Sequence, residues 1–236
     1  MEKLEDILRE GLKLMGQEVT ADALRRFRIY YERLTEVGSV MNLTAIKGEG
    51  PVATLHFLDS EALLRYADFS GARVLDVGTG AGFPGLPLAI LRSDARFTLL
   101  DSQQKRIDFL QDTVSRLGLK NVECVCLRAE EAPPEYRESF NIVTSRAVAR
   151  LNVLAELCLP LVKEGGRFLA MKSVDSDQEL AESRHAIETL GGAVETASSY
   201  VIPGTEIRHR VIFIKKLRKT DKKYPRTFAK IKKHPL

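Results

Sequence analysis

Val74-Leu75-Asp76-Val77-Gly78-Thr79-Gly80-Ala81-Gly82-Phe83-Pro84-Gly85 decides how this chain is read. The stretch opens as a short apolar strand and closes as the entry to a helix. Glycines between the two let the backbone turn sharply and bring its N–H groups against a ligand at the helix start. Gly80-Ala81-Gly82-Phe83-Pro84-Gly85 also spells GxGxxG, so a dinucleotide-binding loop has to be weighed. Three acids bear on the choice, of which Asp101 suits both readings, and an antiparallel end to the sheet also departs from the dinucleotide fold. Asp76, two residues before the first glycine, suits a cationic amino-acid ligand better than a pyrophosphate. Asp101 ends the next apolar run, where it can accept hydrogen bonds from ribose hydroxyls, and Glu130 follows the third, where an adenine edge would lie. Together they favour S-adenosylmethionine over a nicotinamide.

Around this loop, apolar runs at 73–77, 97–100, 122–127, 140–144 and 167–171 alternate with helical stretches, the pattern of a parallel sheet covered on both faces. A helix near 177–190 precedes two last runs, 199–202 and 210–214. Their connection through Pro203-Gly204 is too short for a parallel crossover, so the two must pair antiparallel. Upstream, Leu4, Ile7, Leu8, Leu12 and Met15 recur at helical spacing, a second helix runs from Thr20 through Leu34, and a third starts at Pro51 with Val52, Leu55, Leu58 and Ala62 on one face. The expected architecture is α/β, which the family resemblance given below implies to be a Rossmann-like, class I S-adenosylmethionine-dependent methyltransferase fold. It has a seven-stranded, mostly parallel sheet with an antiparallel last strand. A helical N-terminal extension is expected over 1–70, the donor-binding domain over 71–216 and a basic tail over 217–236.

Composition excludes several classes. With 44% hydrophobic and 29% charged residues in 236, the chain is an ordinary globular protein. No apolar run approaches the ~18–20 residues of a membrane span. Glu2, Glu5 and Asp6 stand where a signal peptide would be basic and then apolar, which predicts a cytoplasmic protein. Cys124, Cys126 and Cys158 form no CxxC pair, and none of the four histidines belongs to an HExxH or HxxxH cluster, so no metal site is expected. Cys124 and Cys126, inside a strand, read as packed thiols. Charge is uneven: residues 215–236 carry ten Lys/Arg against Asp221 alone, a net +9, while 1–214 carry 26 Lys/Arg against 31 Asp/Glu, a net −5.

The fourth strand is followed by Thr144-Ser145-Arg146-Ala147. Adenine N6 methylation usually needs an (Asp/Asn)-Pro-Pro-(Tyr/Phe) stretch there, and pyrimidine C5 chemistry needs a nucleophilic loop cysteine; neither is present. What remains is an acceptor already nucleophilic at neutral pH, such as guanine N7. That atom needs no base, so in-line positioning and electrostatics suffice. N7 lies on the deep, narrow groove edge of A-form RNA, so the target must be in a loop or extruded from its stack.

Asn42-Leu43-Thr44, His56-Phe57-Leu58-Asp59-Ser60, the glycine loop continued to Leu88, Leu99-Leu100-Asp101-Ser102, Lys105-Arg106, Ala129-Glu130 and Ser145-Arg146-Ala147 together resemble the bacterial small-subunit ribosomal RNA guanine-N7 methyltransferase G family, also called glucose-inhibited division protein B. The resemblance runs from about residue 20 to the tail. It implies methylation of guanine 527 in the 530 loop of 16S rRNA, with S-adenosylmethionine as donor. The expected partner is 16S rRNA, with the 30S subunit as the expected setting, free rRNA as the alternative substrate, and a monomer as the expected state. The resemblance also implies that Gly78 and Phe83 line the donor pocket, that Ala129 and Glu130 meet the adenine, and that Arg146 lies beside donor and target base. Lys172-Ser173 departs from the family's usual Lys-Gly after the fifth strand, which bears on the loop shape and on Lys172.

Arg146, at a strand's C-terminal end, is the foremost candidate for a catalytic role, a salt bridge to Asp76 or Glu130 being its structural alternative. His56 and Asp59, three apart on a helix, can simply pair. Asn42 and Thr44 suit either a substrate contact or a turn and cap. Lys172, Lys222, Lys223 and Arg226 are the candidate RNA contacts, the tail's cations being interleaved with Tyr224 and Phe228 as phosphate contact with base stacking requires. A solvated charge run is the plainer reading. A non-catalytic ribosome-binding or assembly factor that keeps the fold is the alternative function.

Overall fold

The computed structural model describes residues 3–41, 43–146 and 148–236, with side chains undescribed at 39–41. Strands β1 (Arg73–Val77), β2 (Arg96–Asp101), β3 (Val122–Cys126), β4 (Phe140–Arg146), β5 (Val162–Ser173), β6 (Gly192–Val201) and β7 (Arg208–Lys216) form one sheet in the order β3-β2-β1-β4-β5-β7-β6. β1 to β5 are mutually parallel, and β7 lies antiparallel between β5 and β6. The expected antiparallel end is therefore present. β6 begins seven residues before the apolar run that announced it, because as an edge strand it buries little of Gly192–Ser198.

Alternation along the strands sorts side chains to two cores. Leu169 and Met171 of β5 and Val211 and Phe213 of β7 face one; Phe168, Ala170, Ile212 and Ile214 face the other. The first face is covered by α1 (Leu4–Leu14), α2 (Ala21–Met41), a helical run at 49–65, α5 (Gly85–Leu91) and α6 (Gln104–Leu117). That run consists of α3 (Glu49–Val52), a π turn Ala53–Leu58, α4 (Asp59–Glu61) and a 3-10 turn Ala62–Arg65. The N-terminal helices thus share one core with Val74, Leu86 and Phe97. Arg28 clamps them together, bonding Glu5 and Glu49 at 2.6–3.1 Å. The second face carries α7 (Leu151–Cys158), α8 (Asp177–Thr189) and the C-terminal segment, whose Tyr224 and Ile231, the latter in α9 (Phe228–Lys233), enter that core.

One expectation is corrected. Cys126 is exposed rather than packed, because β3 is the sheet's other edge, whereas Cys124 is half-buried and packs against the first core. The basic tail is docked against α7 through Arg226 and Glu156.

Candidate active site

The turn after β1 is built from beneath. Asp76 is fully buried; its Oδ2 accepts from Thr79 Oγ1 (2.7 Å) and the Gly85 N–H (2.9 Å), and its Oδ1 accepts from Thr144 Oγ1 (3.0 Å). Burial raises its pKa against these bonds. The acid read as a ligand contact instead ties the loop to α5 and β4, and is not among the crevice-lining residues. Glycine is obligatory at Gly82, where φ is +111° and a Cβ would sit 2.5 Å from Tyr30 Oη, and at Gly85, where it would sit 2.4 Å from Leu99 Cδ2. Tyr30 donates to the Ala81 carbonyl at 2.6 Å, joining α2 directly to the loop.

Above the turn, at the C-terminal ends of β1, β2 and β4, opens a crevice of about 530 Å³. Gly78, Phe83, Asp101, Ala129, Glu130 and Arg146, all expected in the donor site, line it together. Asp101 accepts from the Gly80 N–H (3.0 Å) and Arg106 Nη1 (3.1 Å) through Oδ2 and from the Gln103 N–H (3.0 Å) through Oδ1. A carboxylate has about four lone-pair sites, so Oδ1 keeps capacity for one further donor. Glu130, on the 3-10 turn after β3, has Arg128 at 3.8 Å.

Arg146 pairs with neither Asp76 nor Glu130. Its Nη1 donates to Asp59 Oδ2 at 3.0 Å, its Nη2 to His56 Nδ1 at 3.3 Å, and its guanidinium lies 4.9 Å from the Phe83 ring centroid. Asp59 is buried and also accepts, through Oδ1, from Tyr200 Oη and His209 Nδ1, each at 2.8 Å. Burial opposes ionisation of Asp59, but hydrogen bonding by His209, the Arg146 charge and Tyr200 hold its pKa below the ordinary value. His56 and Asp59 therefore do not pair with each other; from the π turn and α4 both reach Arg146.

His56 stacks on Phe83 with ring centroids 4.4 Å apart. Because arginine only donates, Nδ1 must accept, so the ring proton sits on Nε2, 2.6 Å from Thr44 Oγ1. Burial, then the Arg146 charge, lower its pKa to about 4. The histidine is neutral at pH 7, and its one lone pair is occupied. Among the described residues, Arg146 Nε–H and one Nη2–H have no partner.

The candidate RNA contacts scatter. Asn42 lies outside the described residues. Lys172 Nζ donates to the Ala149 carbonyl (2.6 Å) and Glu179 Oε1 (2.7 Å), fixing the loop after β4. Lys222 and Lys223 are exposed, and Arg226 is paired with buried Glu156. Sequence reasoning missed Arg106 and Phe228 as crevice residues and gave His56 no place there. Lys105-Arg106 carries the resemblance and Phe228 stands among the tail's cations, but neither pattern points to the crevice. Among the described residues no group of three or more His, Cys, Asp or Glu could hold a metal ion.

The family model described as rRNA small subunit methyltransferase G matches residues 23–209. A ribosomal RNA small subunit methyltransferase G of Clostridium perfringens is 42% identical over 234 residues, covering 98% of each chain. One of Lachnoclostridium phytofermentans is 46% identical over 230 residues, covering 96% of this chain and 95% of its own. The solved structure of M. jannaschii TYW2 in complex with AdoMet shares the fold at a TM-score of 0.55 and 12% identity, covering 67% of this chain and 75% of that one.

Proposed function

The chain belongs to the rRNA small subunit methyltransferase G family, and on that footing we propose that it transfers a methyl group from S-adenosylmethionine to N7 of guanine 527, in the 530 loop of 16S rRNA within the 30S subunit. The observation that carries this reading is the convergence of Gly78, Phe83, Asp101, Ala129, Glu130 and Arg146 on one crevice at the C-terminal strand ends, where open α/β sheets bind ligands.

The residues fit the donor. The volume of about 530 Å³ lies in the ~300–1,000 Å³ range of small-molecule sites. A Cβ at Gly80 would meet nothing within 4 Å, so the backbone there faces open space. Asp101 keeps an acceptor site for a ribose hydroxyl, while Leu100, Ala129 and Leu157 offer apolar wall for a purine. When bound, the donor supplies a sulfonium methyl group to an in-line nucleophile.

The chain's residues then need only to orient. Guanine N7 carries no proton, so no side chain has to remove one, which agrees with a neutral His56 whose lone pair is taken. Arg146 presents two N–H groups to the base, with its charge balanced by Asp59. Positive charge arriving on the purine therefore meets an ion pair rather than an isolated cation. Lys222 and Lys223 contact RNA phosphates; Lys172 and Arg226 act through the loop and segment they hold.

Mass-spectrometric mapping of methylated nucleotides in 16S rRNA, with and without this gene, tests the reading. N7-methylguanine at position 527, absent from the deletion strain and restored by the gene, is the expected result. An unchanged rRNA map overturns it.

A further inference from the structure

The C-terminal segment is held to the body by buried polar contacts. Lys216 Nζ is buried and donates to the Leu159 carbonyl (2.6 Å) and to Thr220 Oγ1, while Thr220 Oγ1 donates to the Leu190 carbonyl (2.6 Å). Arg137 donates to the carbonyls of Thr220 (2.6 Å) and Tyr224 (2.8 Å). Glu156, wholly buried on α7, accepts from Arg226 through its backbone N–H (2.9 Å), Nε (2.8 Å) and Nη2 (2.5 Å). Five residues on, Ile231 is fully buried in the second core, on a helix packed against α7.

Between these two anchors stands Phe228. It is 36% exposed although Ile231 is fully buried and Arg226 is tied to buried Glu156, and it lines the crevice beside Arg128, Ala129 and Glu130, with Arg128 6.0 Å from its ring centroid. A partly exposed aromatic ring lining a crevice that Leu127, Ala129 and Leu157 also line is a stacking surface for a nucleobase. We propose that Phe228 forms a wall of the adenine subsite, so that the C-terminal segment is part of the donor-binding site and not only an RNA-binding appendage. This rests on the donor assignment made above. The same short helix carries exposed Lys230, Lys232 and Lys233, so RNA drawn to those cations would lie next to the segment that closes over the donor.

Calorimetric titration of the full chain with S-adenosylmethionine, in the absence of RNA, tests the proposal on wild type, Phe228→Ala and Phe228→Tyr. Alanine should weaken donor binding about tenfold, within the range that base–aromatic stacking supports, and tyrosine should restore it. Because the ring is partly exposed, both variants should unfold thermally like wild type, which separates lost stacking from lost fold. Wild-type donor affinity in Phe228→Ala overturns the proposal and leaves the donor assignment standing, as does a defect confined to RNA binding. Failure of wild type itself to bind the donor overturns both.

Discussion

Replacing Asp59 by asparagine would remove a negative charge where one buried carboxylate serves three donors: Arg146 through Oδ2 at 3.0 Å, and Tyr200 and His209 through Oδ1 at 2.8 Å each. An amide has a single acceptor oxygen. If that oxygen faces Tyr200 and His209, the NH2 group meets the Arg146 guanidinium donor to donor. With the amide flipped, the oxygen keeps Arg146, the Tyr200 hydroxyl rotates to accept, and neutral His209 moves its proton to Nε2. The flipped arrangement is favoured, and what is lost is charge. Hydrogen bonds to charged groups contribute about 1.5–3 kcal/mol against about 0.5–1.5 for neutral ones, and breaking a buried ion pair costs about 3–5 kcal/mol. Arg146 is 16% exposed, so water recovers part of that. The expected loss is about 2 kcal/mol for Asp59→Asn and about 4 for Asp59→Ala, which loses every acceptor. Urea unfolding of wild type, Asp59→Asn, Arg146→Met and the double variant should give a coupling energy of about 2 kcal/mol.

The pH dependence sharpens this test. The hydrogen bond to Asp59 raises the pKa of His209, so the stability that this pair adds is complete below the ordinary histidine value of ~6.5 and is lost as pH rises through the raised one. The gap between wild type and Asp59→Asn should therefore narrow as His209 titrates. Equal stability of the two proteins at every pH, with no coupling to Arg146→Met, would refute the reasoning.

His56, held at a pKa of about 4 by burial and the Arg146 charge, binds fewer protons folded than unfolded. Stability should thus fall by up to about 3 kcal/mol as pH drops from 6.5 through 4, and His56→Gln should lack that acid limb; matching limbs in urea titrations contradict the assignment. Asp76→Ala strands the buried Gly85 N–H and two threonine hydroxyls and should cost about 3–5 kcal/mol, whereas Asp76→Asn, which can keep all three bonds if Thr144 accepts, should cost about 1. Equal thermal shifts for the two would argue against the loop-tying role. Replacing Lys230, Lys232 and Lys233 by alanine should make the log–log salt dependence of RNA binding shallower by about 2, at ~0.7 per phosphate, as read by filter binding; an unchanged slope removes these cations from the interface.

The turn was legible because its residue types are enforced locally: positive φ at Gly82 and the close approach at Gly85 admit no side chain. The antiparallel pairing of the last two strands followed from a loop length, whereas the place of β7 between β5 and β6 did not. Asp76 was misread because sequence does not reveal whether an acid beside a turn faces the ligand or the turn's underside. The place of Arg146 at a strand end is visible in the sequence, but its partner Asp59 lies 87 residues away on a helical run whose π turn no periodicity announces. The tail illustrates the same limit: ten cations are visible in composition, but Glu156 and the core that receives Ile231 are tertiary facts.

The account stands or falls on where the adenosyl group sits. A crystal structure of the full chain grown with S-adenosylhomocysteine should show the nucleoside in the crevice above Gly78–Gly80, a ribose hydroxyl on Asp101 Oδ1 and the sulfur facing Arg146. Density for the nucleoside elsewhere, or an empty crevice at saturating ligand, would contradict it.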